Sequence, residues 1–444
     1  MTIDAVDSLL ADLDELRAVR PVGRVSALSQ GLVEVSGLDG SWHIGDRVRI
    51  RHPGCAPLSG EVIRIGGGTA SVLPEASVAG FAVGDAAERL GEVRIAPHSA
   101  WIGRIVDPNG RPLDGRPLLR GRRPRRLHGP PPPAVDRHRL GERLETGTAV
   151  FNTFLPIVRG QRIGLFAGSG VGKSSLMGAL ARRVPADLAV IALIGERGRE
   201  VREFVETVLG PEGMARSIVV TATSDQSPML RRQCALAAMA VAEHFRDEGR
   251  HVLLLADSVT RFAEAHREIA LAAGEQASLA GYPPSMAHQI MALAERAGPG
   301  TGDSGDITAV FSVLVAGSDM EGPVADILRG VLDGHVVLDR RIAERGRFPA
   351  VDLLRSVSRA LPQAASAREN ALIGSGRRLL GAYEAAEPMI QAGLYAAGSD
   401  ALVDAALRVW PALDAFLAET EGEDIAASFA RLERILAADP AEKS

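Results

Sequence analysis

The 444-residue sequence predicts a multidomain α/β protein: an N-terminal β-barrel, a central domain with a mainly parallel sheet covered by helices, and a helical C-terminal domain. Three observations carry this expectation. Short apolar/polar alternations broken by glycine turns fill residues 21–95, apolar β-rich runs alternate with helical segments from Arg159 to Val315, and the stretch from Ala360 onward is rich in Ala, Leu, Arg and Glu at helical spacing. A chain of this length buries separate cores without a disulfide or metal scaffold.

Each element has its own local reason. At residues 1–20, Ile3, Val6, Leu9, Leu10, Leu13 and Leu16 recur at helical spacing with Asp and Glu between them, which predicts an amphipathic helix docked on this chain or on a partner helix. Its acidic start (Asp4, Asp7, Asp12) lacks the charge and apolar core of a secretory signal. No apolar run approaches the about 20 residues of a membrane span, so a cytoplasmic location is expected. Across residues 21–95, Gly31-Leu-Val-Glu-Val35 and Asp46-Arg-Val-Arg-Ile50 read as barrel strands. The sparse aromatics there, Trp42 and Phe81, do not make the stacking platform that single-stranded nucleic acid needs, which leaves a scaffold or ring-forming role.

Residues 96–358 are assigned to the central domain, including an Arg- and Pro-rich crossover at 111–143. Arg122-Arg-Pro-Arg-Arg126 and Pro130–Pro133 cannot build a regular helix or a central strand, and a solvated loop is favoured over an RNA or lipid site. Beyond it, strands are expected at Ile163–Phe166, Leu188–Ile194, Ile218–Ala222, Val252–Ala256 and Ile307–Val315. Residues 359–444 form the helical domain, with short breaks expected at Pro388, Gly398 and Pro411.

Composition narrows the function. Cys55 and Cys234 are the only cysteines and show no metal spacing, so two buried thiols in a reducing compartment are expected. A net charge of −5 does not advertise binding to nucleic acid. Almost all cationic side chains are arginines; the two lysines are Lys173 and Lys443. The internal one lies where a compact ammonium, rather than a broad guanidinium, threads between phosphates.

That place is the loop Ala167-Gly-Ser-Gly-Val-Gly-Lys-Ser174, after an apolar strand and before the helical run that Ser175 opens. The context is that of a P-loop. Gly168, Ser169, Gly170, Val171 and Gly172 turn backbone N–H groups around phosphates, the helix N-terminus adds positive potential, Lys173 reaches the β/γ-phosphates, and Ser174 offers its hydroxyl to Mg²⁺. Ala167 stands where glycine is commonest, a small change that keeps the turn. A glycine turn that binds nothing is disfavoured, because strand, loop and helix occur in order. The expectation is a RecA-like P-loop ATPase domain whose ligands are ATP and Mg²⁺.

Further along, Val252-Leu-Leu-Leu-Ala-Asp257 is an apolar strand ending in a carboxylate, suited to the Mg²⁺ water shell. A strand-end Asp often only caps the next helix, so Asp257 gains weight from its pairing with the P-loop. Hydrolysis also needs a carboxylate to orient or deprotonate water. Glu196 fits, in Gly195-Glu-Arg-Gly-Arg-Glu200, where a glycine bend aims Glu196 and Arg197 at the γ-phosphate. Glu200 and Arg202 are better read as the start of the next helix.

The strings GERGREV, TSDQSP, LLLADSVTRFAEAHREI, GYPPS, DGHVVLDR and FPAVDLLRSVSR follow the loop in this order. Together they resemble the flagellar and type III secretion export ATPases, relatives of rotary ATP-synthase catalytic subunits. The resemblance spans nearly the whole chain. It implies a homohexamer with nucleotide at the subunit interfaces, Glu196 as catalytic carboxylate, and Asp257 on the magnesium shell. It also implies that Phe348 stacks on adenine and that Arg359 is an arginine finger reaching into the neighbouring subunit. The partners it implies are a regulatory stator-like protein at the N-terminal helix, export-gate proteins, and exported substrates or their chaperones, with the ring associated peripherally with the inner face of the membrane.

The chain departs from the family at Phe151-Asn152, where Ile-Asp is usual, and at Met286-Ala-His-Gln-Ile-Met291, where an Arg and a Pro are usual. Both departures bear on subunit contacts and the central pore rather than on the nucleotide. Three other functions are weighed: a rotary catalytic subunit, a non-catalytic nucleotide-binding scaffold, and an RNA-translocating ring. A complete site together with an arginine finger in one chain suits a homohexamer, Glu196 beside Lys173 and Asp257 argues against the scaffold, and the aromatic-poor barrel argues against RNA.

Overall fold

The computed structural model describes residues 6, 8–10, 13, 19–29, 31–38, 41–278, 281–315, 322–420 and 424–437. Six strands, β1 (Val22–Leu28), β2 (Val33–Ser36), β3 (Asp46–Arg51), β4 (Leu58–Gly66), β5 (Thr69–Pro74) and β6 (Ala86–Glu92), close a barrel in the order β1-β2-β5-β4-β3-β6. Alternation makes it close: in β3, Asp46, Val48 and Ile50 are buried while Arg47 and Arg49 are not. Val25, Val33, Val35, Val62 and Val72 fill the interior. Asp46 is tied to the neighbouring strand β6 by Arg89 Nε at 2.6 Å.

The chain then adds β7 (Arg94–Ile95), β8 (Arg104–Val106), β9 (Arg125–Arg126), β10 (Arg162–Ala167), β11 (Leu188–Glu196), β12 (Ser217–Thr223), β13 (Val252–Asp257), β14 (Ile307–Leu314), β15 (Gly334–Leu338) and β16 (Val351–Ser358). Eight of these form one sheet in the order β16-β15-β10-β14-β13-β11-β12-β8, parallel except for the β15–β16 pair. β11 explains the continuous apolar runs: Leu188, Val190, Ala192 and Ile194 enter one core, and Ala189, Ile191 and Leu193 enter the other. The helices are α1 (Ala149–Asn152), α2 (Lys173–Arg183), α3 (Gly198–Glu203), α4 (Gly210–Ala215), α5 (Pro228–Asp247), α6 (Val259–Ala272), α7 (Ser285–Arg296), α8 (Pro323–Val331), α9 (Arg340–Glu344), α10 (Ala367–Gln391), α11 (Ala401–Leu417) and α12 (Ile425–Leu436).

All five expected strands are present, and the structure adds three to the sheet: β8, β15 and β16. β8 is only three residues long, and β16 is an edge strand interrupted by Asp352, Arg355 and Ser356, so neither leaves a clear apolar run. Pro388 and Pro411 do not break helices as expected; they lie inside α10 and α11. Each costs one backbone hydrogen bond, which packing of these helices outweighs; their Tyr383 and Trp410 rings stack at 4.2 Å. Gly398 does fall between the two helices.

Cys234 is buried as expected, and burial pushes its thiol well above the usual range. Cys55, expected buried, is only half-buried. Most of the expected N-terminal helix lies outside the described residues; Val6, Ser8–Leu10 and Leu13 are helical. Ser8 is buried and its Oγ accepts the Arg120 N–H at 3.0 Å, whereas Leu9, Leu10 and Leu13 are exposed.

The 111–143 crossover is mostly irregular, but several of its arginines are anchored rather than solvated: Arg125 pairs with Asp247 at 2.5 Å, and Arg137 Nη2 donates to Glu295 O at 2.6 Å. Phe151 and Asn152 are buried within the chain, where Asn152 accepts the Thr146 N–H at 3.1 Å and donates to Ser428 Oγ at 3.2 Å. That departure therefore joins the sheet domain to the C-terminal helices. In the other departure, Met286 and Ile290 face the core and Met291 is exposed.

Candidate active site

The sheet order sets the site. β10, which feeds the glycine loop, and β13, which ends at Asp257, flank β14, and β11, which ends at Glu196, lies beside β13. All are parallel, so their C-terminal ends open on one edge.

Two loop glycines take left-handed conformations, Gly170 at φ +77° and Gly172 at φ +84°, which side-chain-bearing residues rarely adopt. Gly172 is the N-cap of α2, and no side chain bonds the helix's first turn. Those N–H groups are left for an anion. Lys173 opens α2, and its ammonium is bonded to Asp257 Oδ1. Ser174 and Ser175 follow on the exposed face of the first turn.

Asp257 is 3% exposed, and its Oδ1 also accepts the Ser312 hydroxyl at 2.7 Å. It does not cap α6; Ser258 does, accepting the Arg261 N–H. Glu196 is the last residue of β11 rather than following the strand, at a register shift between Ile194 and Glu196 where Gly195 has φ +67°. The Glu196 carboxyl lies within electrostatic reach of Lys173 and Asp257. Burial first, and then the negative charge of Asp257, push its pKa up to about 7 against the pull of Lys173. Glu200 is held below its usual value despite burial, by a hydrogen bond with Glu196 and by Arg197.

Arg197 is the N-cap of α3 and points outward, with a side chain 68% exposed and Nη1 3.6 Å from Glu200 Oε1. The Phe348 ring covers Gly172: a Cβ there would lie 3.0 Å from Phe348 Cδ1. The ring is otherwise half-exposed, a face free for an aromatic ligand. Arg359 is not brought to this site. Its N–H donates to Asp333 O at 3.0 Å, and Asp333 also binds the start of β10 through the Arg162 N–H at 3.0 Å. The six residues of β10 put about 20 Å between that end and the loop.

Two residues escaped the sequence reading. Arg261, on the first turn of α6, packs against Gly195, and its buried Nε has no hydrogen-bond partner. Its signal was its place one turn beyond Asp257. Ser312 is a hydroxyl inside the apolar run of β14, but only the strand order reveals that it faces Asp257. Among the described residues no cluster of three or more His, Cys, Asp or Glu forms a metal cage. The hard oxygens of Ser174 and Asp257 suit Mg²⁺, which keeps several waters and shares its shell with phosphates.

A glycine loop at the C-terminal edge of a parallel sheet, with lysine and strand-end carboxylates, defines a P-loop ATPase. Residues 147–358 match the ATP synthase alpha/beta family, nucleotide-binding domain, and residues 365–434 match the T3SS EscN ATPase C-terminal domain. The flagellum-specific ATP synthase of Caulobacter vibrioides is 45% identical over 97% of this chain and 99% of its own length. That of Salmonella typhimurium is 41% identical over 94% of this chain and 93% of its own. The assembled ATPase EscN of the enteropathogenic E. coli type III secretion system superposes with a TM-score of 0.86 at 33% identity, covering 93% of this chain and 100% of EscN. The chain belongs to the family of flagellum-specific and type III secretion ATPases and is an ATP-hydrolysing enzyme.

Proposed function

We propose that the chain is one subunit of a homohexameric motor that hydrolyses ATP to energise protein export through a flagellar or type III secretion apparatus. The observation that carries the reading is the convergence of Lys173, Asp257 and Glu196 beside the glycine loop, with Arg359 at the opposite end of the sheet.

The loop N–H groups and Lys173 hold the phosphates of ATP, and Phe348 stacks on the base. Ser174 and Asp257 would hold Mg²⁺, which supplies charge neutralisation between the phosphates when bound. Glu196, with a pKa near neutrality, accepts a proton from the attacking water. Arg261 supplies positive charge near Glu196. Lys173 leaves Asp257 for the phosphates as they arrive. Arg359 of a neighbouring copy completes the transition-state charge, as a guanidinium delivered in trans does in related chemistry.

The resemblance to EscN, solved both as the assembled ATPase and with its central stalk EscO, supports ring formation and a stalk-type partner here. The exposed Leu9, Leu10 and Leu13 suit a helical regulator. Export-gate proteins and substrates or their chaperones are the remaining partners. Among the described residues no helix is long and apolar enough to cross a membrane, which fits a motor on the cytoplasmic side, held peripherally at the export apparatus. The test is specific activity against protein concentration. It should rise as rings assemble and collapse in Glu196→Gln and Arg359→Ala; equal activity in dilute monomer would overturn the shared site.

A further inference from the structure

We propose that Ser312 is a positioning residue that keeps the Asp257 carboxylate aimed at the metal position once nucleotide has drawn Lys173 away; this rests on the function proposed above.

The sheet places Ser312 between the two halves of the site. β14 lies between the loop strand β10 and the Asp257 strand β13, with Leu165 opposite Ser312 on one side and Ala256 opposite Phe311 on the other. Ser312 is fully buried, and its single O–H donates to Asp257 Oδ1 at 2.7 Å, the oxygen that also bonds Lys173.

The two donors on that oxygen differ in kind. Lys173 carries its charge on a flexible stem, and the loop that holds it is built to offer it to phosphate. Ser312 sits on a short side chain whose backbone is fixed by ladders on both sides. When Lys173 leaves, a carboxylate with no second partner is free to swing away from that position. A retained hydroxyl donor fixes its direction. Partners behind a metal ligand that orient it in this way are worth about 10- to 100-fold in metal affinity.

A purely structural role makes a different prediction. If Ser312 only satisfies its own buried hydroxyl, removing it changes stability and leaves the metal linkage alone.

The experiment measures the affinity of a fluorescent ADP analogue with and without Mg²⁺, a binding equilibrium that needs no turnover, in parent, Ser312→Ala, Ser312→Thr and Asp257→Asn. The expected result is a Mg²⁺-dependent gain in affinity in the parent that shrinks about tenfold or more in Ser312→Ala, with metal-free affinity unchanged and the gain restored in Ser312→Thr. Three results overturn the proposal: Ser312→Ala with the parental gain, equal loss with and without Mg²⁺, or a threonine variant as weak as the alanine one. An Asp257→Asn variant that keeps the full gain removes the proposed site itself, and Ser312's role with it. A lost Ser312 role beside a defective Asp257→Asn leaves the function standing.

Discussion

The ammonium of Lys173 is bonded to the carboxylate of Asp257. The one lysine in the described part of the chain is thus parked on the carboxylate next to the phosphate loop, poised to move. Lys173→Ala should lose nucleotide binding as well as turnover, read by titration with a fluorescent nucleotide. A variant that binds ATP as tightly as the parent would show that the loop is not the phosphate site. Asp257→Asn should keep phosphate contacts but lower kcat by about 100-fold or more, the scale of removing one preorganised charge partner.

Glu196 sets a pH dependence. Its pKa is pushed up to about 7, so below that pH it is protonated and cannot accept a proton. The kcat/KM of the parent should fall about tenfold per unit as pH drops below neutrality. In Glu196→Gln that limb should vanish along with most of the activity. Stability runs the other way. Folded Glu196 binds its proton more tightly than an unfolded glutamate, so its ionisation weakens the fold as pH rises from the usual carboxylate range through about 7. Glu196→Gln should therefore gain stability over the parent above pH 7 and match it at low pH, measured by urea unfolding.

Gly172 should tolerate no side chain. At φ +84° an alanine is strained by about 1–2 kcal/mol, and its Cβ would meet Phe348 Cδ1 at 3.0 Å. Gly172→Ala should displace the ring and weaken nucleotide binding. Unchanged affinity in that variant would separate Phe348 from the base.

A site far from the nucleotide gives a stability prediction. Arg296 and Glu243 form a buried bidentate pair at 2.7 and 2.8 Å between α7 and α5, and Arg296 Nη1 also donates to Leu127 O at 2.6 Å. Glu243→Ala strands a buried guanidinium and should cost about 3–5 kcal/mol in denaturant unfolding, whereas replacing both partners by methionine should cost far less.

How much of this was legible depended on range. The strands β10 to β14 were readable because both of their faces are buried and their apolar runs are continuous. β15 and β16 form an antiparallel edge whose pattern mixes arginine and serine with valine, and they were not read as strands. The helix-breaking rule for proline failed at Pro388 and Pro411 because packing between α10 and α11 outweighs a local bond. Lys173 and Asp257 could be assigned from short strings, since each follows its own strand. Phe348 and Arg359 rested on resemblance alone, and no local pattern says that Phe348 folds over Gly172. Ser312 stayed invisible because its meaning depends on which strands are neighbours.

The location of Arg359 has a further consequence. In the proposed motor, a chain that keeps its phosphate loop at one end of a strand and its proposed arginine finger at the other holds two half-sites that never meet. On that proposal a solitary copy, or one left over when subunit production outruns assembly, would idle and would not drain the cell's ATP. Turnover then reports on geometry, and the molecule takes a census of its neighbours before it starts work.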